Sequence, residues 1–164
     1  MADRLLAERL QPSLLDRLTD DAPRISTEPG SGRMIDIARL REIIQRDLAW
    51  LLNTSNMEAE HELALFPHVA ASTLNYGVPP LSGSSSTRNR ADEIRLALRK
   101  AIETFEPRIL PQTLDIQMRQ ESGNSTVVSF DIRGELWAEP VPVDLYLRTA
   151  LDVTNGEITL TRQG

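Results

Sequence analysis

At Phe105-Glu106-Pro107-Arg108 the chain changes its hydrophobic period, and that change limits what it can fold into. Upstream, Ala91, Ile94, Leu98, Ala101, Ile102 and Phe105 recur at the spacing of one helix face. Downstream, Leu114, Ile116 and Met118 alternate, as do Val128, Phe130 and Ile132. Proline has no backbone N–H and disfavours helix in the residue before it, so the helix closes at Glu106. Glu106 and Arg108 then flank the break as charges that must be paired or solvated. Helices before the corner and strands after it define an α+β chain.

The remaining elements follow from the same two periods. A first long helix starts at Asp36, a good N-cap, and ends near Asn53, with Ile37, Leu40, Ile43, Ile44, Leu48, Leu51 and Leu52 on its buried side. Arg46 and Asp47 lie off that stripe, where a solvated face is the simplest expectation. A second long helix spans about 89–106. Between the two, Glu58 to Leu65 reads as a turn or two of helix, and Gly77 offers a positive φ after Ser72-Thr73-Leu74-Asn75-Tyr76. Gly83 to Thr87 reads as a polar loop.

In the second half, Gly123-Asn124 is the expected turn between the first two strands, and Gly134 marks a possible bulge site. Val143, Leu145, Leu147, Leu151 and Val153 continue the period of two. Asn155-Gly156 is the strongest hairpin signal and folds Ile158 and Leu160 back as a last strand. The architecture is two amphipathic helices packed on one face of an antiparallel sheet of about four strands, with an N-terminal helical arm. The terminal strand, 157–162, is a natural exposed edge, and Ile158 and Leu160 on it are candidate partner-binding residues.

The arm is read from Leu5, Leu6, Leu10, Leu14, Leu15 and Leu18, an apolar stripe broken by Pro12 into pieces at 3–10 and 13–19. Such a stripe must rest on the protein's own core or dock into a partner groove, and Leu14, Leu15 and Leu18 are the candidate contacts. A Pro/Gly/Ser/Thr-rich stretch over 20–33 links it to the domain.

Composition removes several function classes. A formal charge of −6 argues against nucleic-acid binding. The absence of cysteine excludes thiolate metal sites, disulfides and a cysteine nucleophile. His61 and His68 share a spacing but have no further ligand close by and Pro67 between them, so no metal or other cofactor is expected. No apolar run approaches the roughly 18–20 residues of a membrane span, and no signal peptide is visible, so a cytoplasmic location without membrane insertion is expected.

Acidic pairs invite a glycosidase reading. Glu106 and Asp115 are nine positions apart, as are Glu135 and Asp144, a spacing that resembles the phage-lysozyme pattern. That pattern also has a threonine six positions after the aspartate, where this chain has Glu121 and Ala150. A charge partner such as Arg108 would hold Glu106 ionised, whereas a glycosidase acid needs a raised pKa. No Gly-x-Ser-x-Gly elbow supports a serine hydrolase. The expectation is a protein that is not an enzyme, with a peptidoglycan hydrolase acting through Glu106 as the alternative.

Four stretches resemble one known family. They are Pro12-Ser13-Leu14-Leu15-Asp16-Arg17-Leu18, Arg46-Asp47-Leu48-Ala49-Trp50-Leu51-Leu52-Asn53-Thr54, Ser72-Thr73-Leu74-Asn75-Tyr76-Gly77-Val78-Pro79 and Phe105-Glu106-Pro107-Arg108. Together they resemble the TssE baseplate subunits of type VI secretion systems, which are similar to the lysozyme-like wedge protein of contractile phage tails. The first stretch is characteristic of the secretion branch; Pro80 departs from the pattern, which has an acidic residue there. The resemblance implies a non-enzymatic wedge subunit beside TssF, TssG and TssK, in a baseplate docked at the inner membrane. It also implies a sheath initiator that offers a β-edge to the contractile sheath proteins. Residues 1–33 would form the arm and linker, and 34–164 the phage-baseplate-like domain, with Glu106, Pro107 and Arg108 as its structural motif.

Overall fold

The computed structural model describes residues 13–19, 23–24, 35–81, 88–119, 126–138 and 142–162. Its helices are α1 (Leu14–Leu18), α2 (Ile37–Leu52), α3 (Pro67–Ala70) and α4 (Arg88–Phe105), and its strands β1 (Asp115–Arg119), β2 (Val127–Leu136), β3 (Val143–Asp152) and β4 (Ile158–Arg162). The fold is α+β, as the change of period requires. The expected pieces at 3–10, most of 20–33, the Gly123-Asn124 turn and the Gly83–Thr87 loop lie outside the described residues.

Helix α2 begins where Asp36 accepts a hydrogen bond from the Arg39 amide at 2.7 Å, the capping geometry its sequence predicts. Its buried residues are Leu40, Ile43, Ile44, Leu48, Leu51 and Leu52. Helix α4 buries Ile94, Leu98, Ala101 and Ile102 against the same core. The strands form one antiparallel sheet in the order β1-β2-β3-β4, each pairing with its neighbour in the chain. Phe130, Ile132, Leu136, Leu145, Leu147, Leu151 and Ile158 meet the helices from one face. The opposite face is polar: Asp131 accepts from Tyr146 Oη at 3.1 Å and Arg148 Nε at 3.0 Å, and the Arg133 guanidinium lies 4.8 Å from the Tyr146 ring centre.

Between α2 and α4, residues 55–78 fold as short turns, Met57–Ala59, Leu63–Leu65, α3 and Thr73–Asn75. Buried Asn75 ties them together: its side chain accepts from the Met57 amide at 3.0 Å and donates to the Ala70 carbonyl at 3.0 Å. Gly77 has φ +122°, as the turn reading expects, and lets Ser55 and Val78 form a parallel bridge.

Three details differ from the sequence expectations. Gly134 is not bulged, because β2 pairs with β3 in unbroken register from Val127 to Leu136. The glycine instead admits the segment after Pro107: a Cβ there would stand 3.1 Å from Ile109 Cγ2. Second, the Asn155-Gly156 hairpin forms, but only Gly156 has positive φ (+80°). It is therefore a longer loop, closed by the Gly156 amide on the Asp152 carbonyl at 2.7 Å, and not the two-residue turn that needs two positive φ values. Third, Met118 keeps the core-facing parity of Ile116 yet is exposed, because no described element covers it.

Candidate assembly surfaces

Pro107 ends α4 as its chemistry requires, and the corner it makes is charged and mostly buried. Glu106 is 4 % exposed. Its Oε1 accepts from Arg108 Nε at 2.6 Å and from the Arg108 amide at 3.2 Å, while Oε2 accepts from Arg108 Nη2. Beyond the corner the chain runs alongside the end of β2: Leu110 donates to the Glu135 carbonyl at 2.8 Å, and Trp137 donates to that of Arg108 at 2.7 Å. The proline thus aims Arg108–Leu110 into the sheet margin before β1 begins.

Arg108 does not stop at Glu106. Its Nη2 also donates to Asp47 Oδ2 at 2.6 Å, so the corner is bonded to α2. Asp47 Oδ1 accepts from Arg46 Nε at 2.9 Å and Nη2 at 2.7 Å, and Arg46 Nη1 pairs with Asp16 of α1 at 2.8 Å. A line of alternating charges, Glu106–Arg108–Asp47–Arg46–Asp16, therefore runs from the corner to the arm. This corrects the expectation that Arg46 and Asp47 form a solvated face. Their partners are 30 and 61 residues away in sequence, beyond the reach of helical periodicity. Burial opposes the charge of Arg108, but Glu106 and Asp47 outweigh it and hold the guanidinium protonated above its ordinary range. Burial, reinforced by the Asp47 and Glu106 carboxylates, pushes the Tyr76 hydroxyl above its ordinary value.

The arm is fastened through Asp16. Ser13 caps α1 and donates its hydroxyl to the Asp16 carboxylate, whose side chain is 6 % exposed. Leu14, Leu15 and Leu18 face away from the domain at 70 %, 51 % and 74 % exposure. They are not part of the protein's own core. Burial pushes Asp16 up, but its bonds from Ser13 and Arg46 outweigh that and hold it below its ordinary 3.8. A free arm titrates near the ordinary value, so docking keeps its full strength above it and is lost as pH falls through the lowered one. Arg46 lies 4.9 Å from the Trp50 ring centre. In a Trp137→Phe background, Trp50 fluorescence is expected to change below pH 3.8 before the domain unfolds. An unchanged signal down to global unfolding would show that this pair does not hold the arm.

The sequence placed Ile158 and Leu160 at a partner surface, and the structure buries both against the helices. Strand alternation sends their side chains to the core, which leaves these two residues only their outer backbone for contact. Even that is partly taken. Asn53 Nδ2 donates to the Ile158 carbonyl at 2.8 Å and Oδ1 accepts from the Ile158 amide at 2.9 Å, the two bonds a neighbouring strand would make. Gln45 Nε2 donates to the Leu160 carbonyl at 3.0 Å, and Arg41 donates to the Asp144 carbonyl at 2.9 and 3.1 Å. Arg41 and Gln45 of α2 and its C-cap residue Asn53 follow one four-residue spacing, so polar side chains cover β4 at Ile158 and Leu160 and the end of β3 at Asp144. That spacing was present in the sequence beside the apolar stripe, but what it would meet was not.

The two acidic pairs of the sugar-hydrolase reading fall in different settings. Both oxygens of Glu106 are occupied by Arg108, Asp115 accepts from Gln117 Nε2 at 2.7 Å, and Glu135 and Asp144 are cross-strand neighbours on the sheet. His61 and His68 are exposed, and among the described residues no three acidic or histidine side chains gather around a metal-sized site. No helix among the described residues is long and apolar enough to cross a membrane.

The α+β domain thus carries a charged corner, an ion-paired N-terminal helix and two sheet margins. The family described as baseplate wedge protein gp25 matches residues 38–141, and the chain belongs to that family. No curated protein and no solved structure gives a significant match. The match runs from α2 through the Glu-Pro-Arg corner and past the end of β2, so it includes four members of the charge line, all but Asp16. The arm and the β3–β4 hairpin lie outside it.

Proposed function

We propose that this protein is the TssE-like wedge subunit of a type VI secretion baseplate. It works in the cytoplasm, in a baseplate docked at the inner membrane, and starts the contractile sheath by adding a strand of a sheath protein to its own sheet. Membership of the wedge family supports the structural role. The observation that carries the finer reading is the arm. The stretch that resembles the secretion branch is a capped helix, bound to the domain by Asp16 with its leucines turned outward. An exposed apolar face on a docked helix supports a tether to a neighbouring wedge subunit, with TssF, TssG and TssK as the partners.

Replacing Leu14, Leu15 and Leu18 by aspartate tests this. Exposed positions tolerate substitution within about 0.5 kcal/mol, so the melting temperature stays near that of the wild type. Co-purification with TssF and TssG is expected to be lost. A variant that still co-purifies, or a domain that melts, would remove the tether reading.

A further inference from the structure

We infer that the knot of turns between α2 and α4 is a docking surface, at Leu65, Phe66 and Leu74, for a segment of another protein that carries Lys or Arg beside apolar residues. This surface is separate from the arm and does not depend on the secretion reading. Leu65, Phe66 and Leu74 are 78 %, 57 % and 69 % exposed. The turns themselves put them there. Leu63–Leu65 and Thr73–Asn75 are 3₁₀ turns, in which successive side chains point about 120° apart. Leu63 is buried in the first and Asn75 in the second, so Leu65 and Leu74 are turned away from the domain. Phe66 follows as the N-cap of α3, a helix of four residues with none buried.

The knot is held in place on several sides. Asn75 ties its two ends through the Met57 amide and the Ala70 carbonyl. Ser72 Oγ donates to the Val69 carbonyl at 2.8 Å and accepts from the Leu74 amide at 3.3 Å. Lys100 Nζ of α4 pairs with Glu58 at 2.6 Å and anchors the knot to that helix. A partner therefore meets apolar side chains on a backbone already fixed, and contact needs little further ordering.

Charge selects the occupant. Residues 55–77 carry Glu58, Glu60 and Glu62 and no Lys or Arg. Glu58 is matched by Lys100, whereas Glu60 and Glu62 are exposed and form no ion pair among the described residues. A lipid surface, a second copy of this chain and another protein are the three ways to cover such side chains. The cytoplasmic face of a membrane is anionic and repels the glutamates. A two-fold contact with a second copy sets the same surface against itself, so the carboxylates would face their like. A segment with Lys or Arg beside its apolar residues matches both the side chains and the charges.

A synthetic amphipathic peptide of leucine and lysine, and its leucine–glutamate counterpart, test the chemistry on the isotope-labelled full chain. The leucine–lysine peptide is expected to shift the amide signals of Leu65, Phe66 and Leu74, and the leucine–glutamate peptide to leave them in place. Phe66→Ser with Leu74→Ser, both at exposed positions that keep the fold, weakens that binding about tenfold or more. Glu60→Lys with Glu62→Lys exchanges the preference between the two peptides. Equal shifts from both peptides, no shift at these amides, or shifts confined to α1 overturn the assignment. Replacing Leu74 by the photocrosslinker p-benzoylphenylalanine in the producing cell then identifies the occupant, by mass spectrometry of the crosslinked peptide. A segment of another protein with Lys or Arg beside apolar residues is the expected product. A crosslink to an acidic segment, to residues 1–12, to a second copy or to lipid, or no crosslink at all, overturns the inference.

Discussion

Arg108→Ala is expected to destabilise the protein by about 3–5 kcal/mol, a large share of the roughly 5–15 kcal/mol that holds a typical domain together. The reason is what the substitution leaves behind. Glu106 is 4 % exposed, and among the described residues Arg108 alone gives side-chain hydrogen bonds to its two oxygens. Without the guanidinium its carboxylate is buried and retains only the residue 108 amide. Asp47 loses one partner but keeps Arg46, so the cost concentrates at Glu106. Chemical denaturation of the two proteins measures it. Glu106→Gln in the Arg108→Ala background should recover part of the loss, because a neutral amide is cheaper to bury than a charge. A loss of about 0–1 kcal/mol, the range of an exposed pair, would mean that water screens the corner.

Gly77→Ala is expected to cost about 4 kcal/mol or more, which places it among the most damaging single methyl additions available in this chain. Gly77 has φ +122°, a backbone conformation that costs a residue with a side chain about 1–3 kcal/mol. The added Cβ would also stand 2.2 Å from the Thr54 carbonyl oxygen and 3.2 Å from the Asn56 amide nitrogen, both rigid backbone. Relief requires moving the strand-like pair apart, which breaks the Val78 amide bond to Thr54 (2.8 Å) and the Asn56 amide bond to Val78 (3.0 Å). Thermal unfolding of the purified variant gives the answer. A melting temperature within a degree or two of the wild type would show that the 54–56 segment yields easily.

The two positions differ in how they could be found. Gly77 stood out as a glycine after a helical stretch, where a positive φ is common, but its neighbour across the turn lies 23 residues earlier. Arg108 was legible as one half of a pair, because Glu106 and Arg108 sit on either side of a proline. Its bond to Asp47 was not, since nothing in residues 46–47 distinguishes a solvated pair from one that faces another element.

What the amino-acid order determined by itself was local. The caps, the helical and alternating periods and the proline corner set which segments are helix or strand, and hence the α+β class. These depend on backbone sterics and on apolar residues repeating within a few positions of one another. The tertiary structure alone decided which surfaces remain for other chains. It buried Ile158 and Leu160, turned Leu14, Leu15 and Leu18 outward, joined Asp16 to Glu106 through two arginines and an aspartate, and laid Gln45 of α2 and its C-cap Asn53 along β4. Each of these depends on how elements distant in sequence sit against one another, and a side chain's periodicity cannot say what stands opposite it.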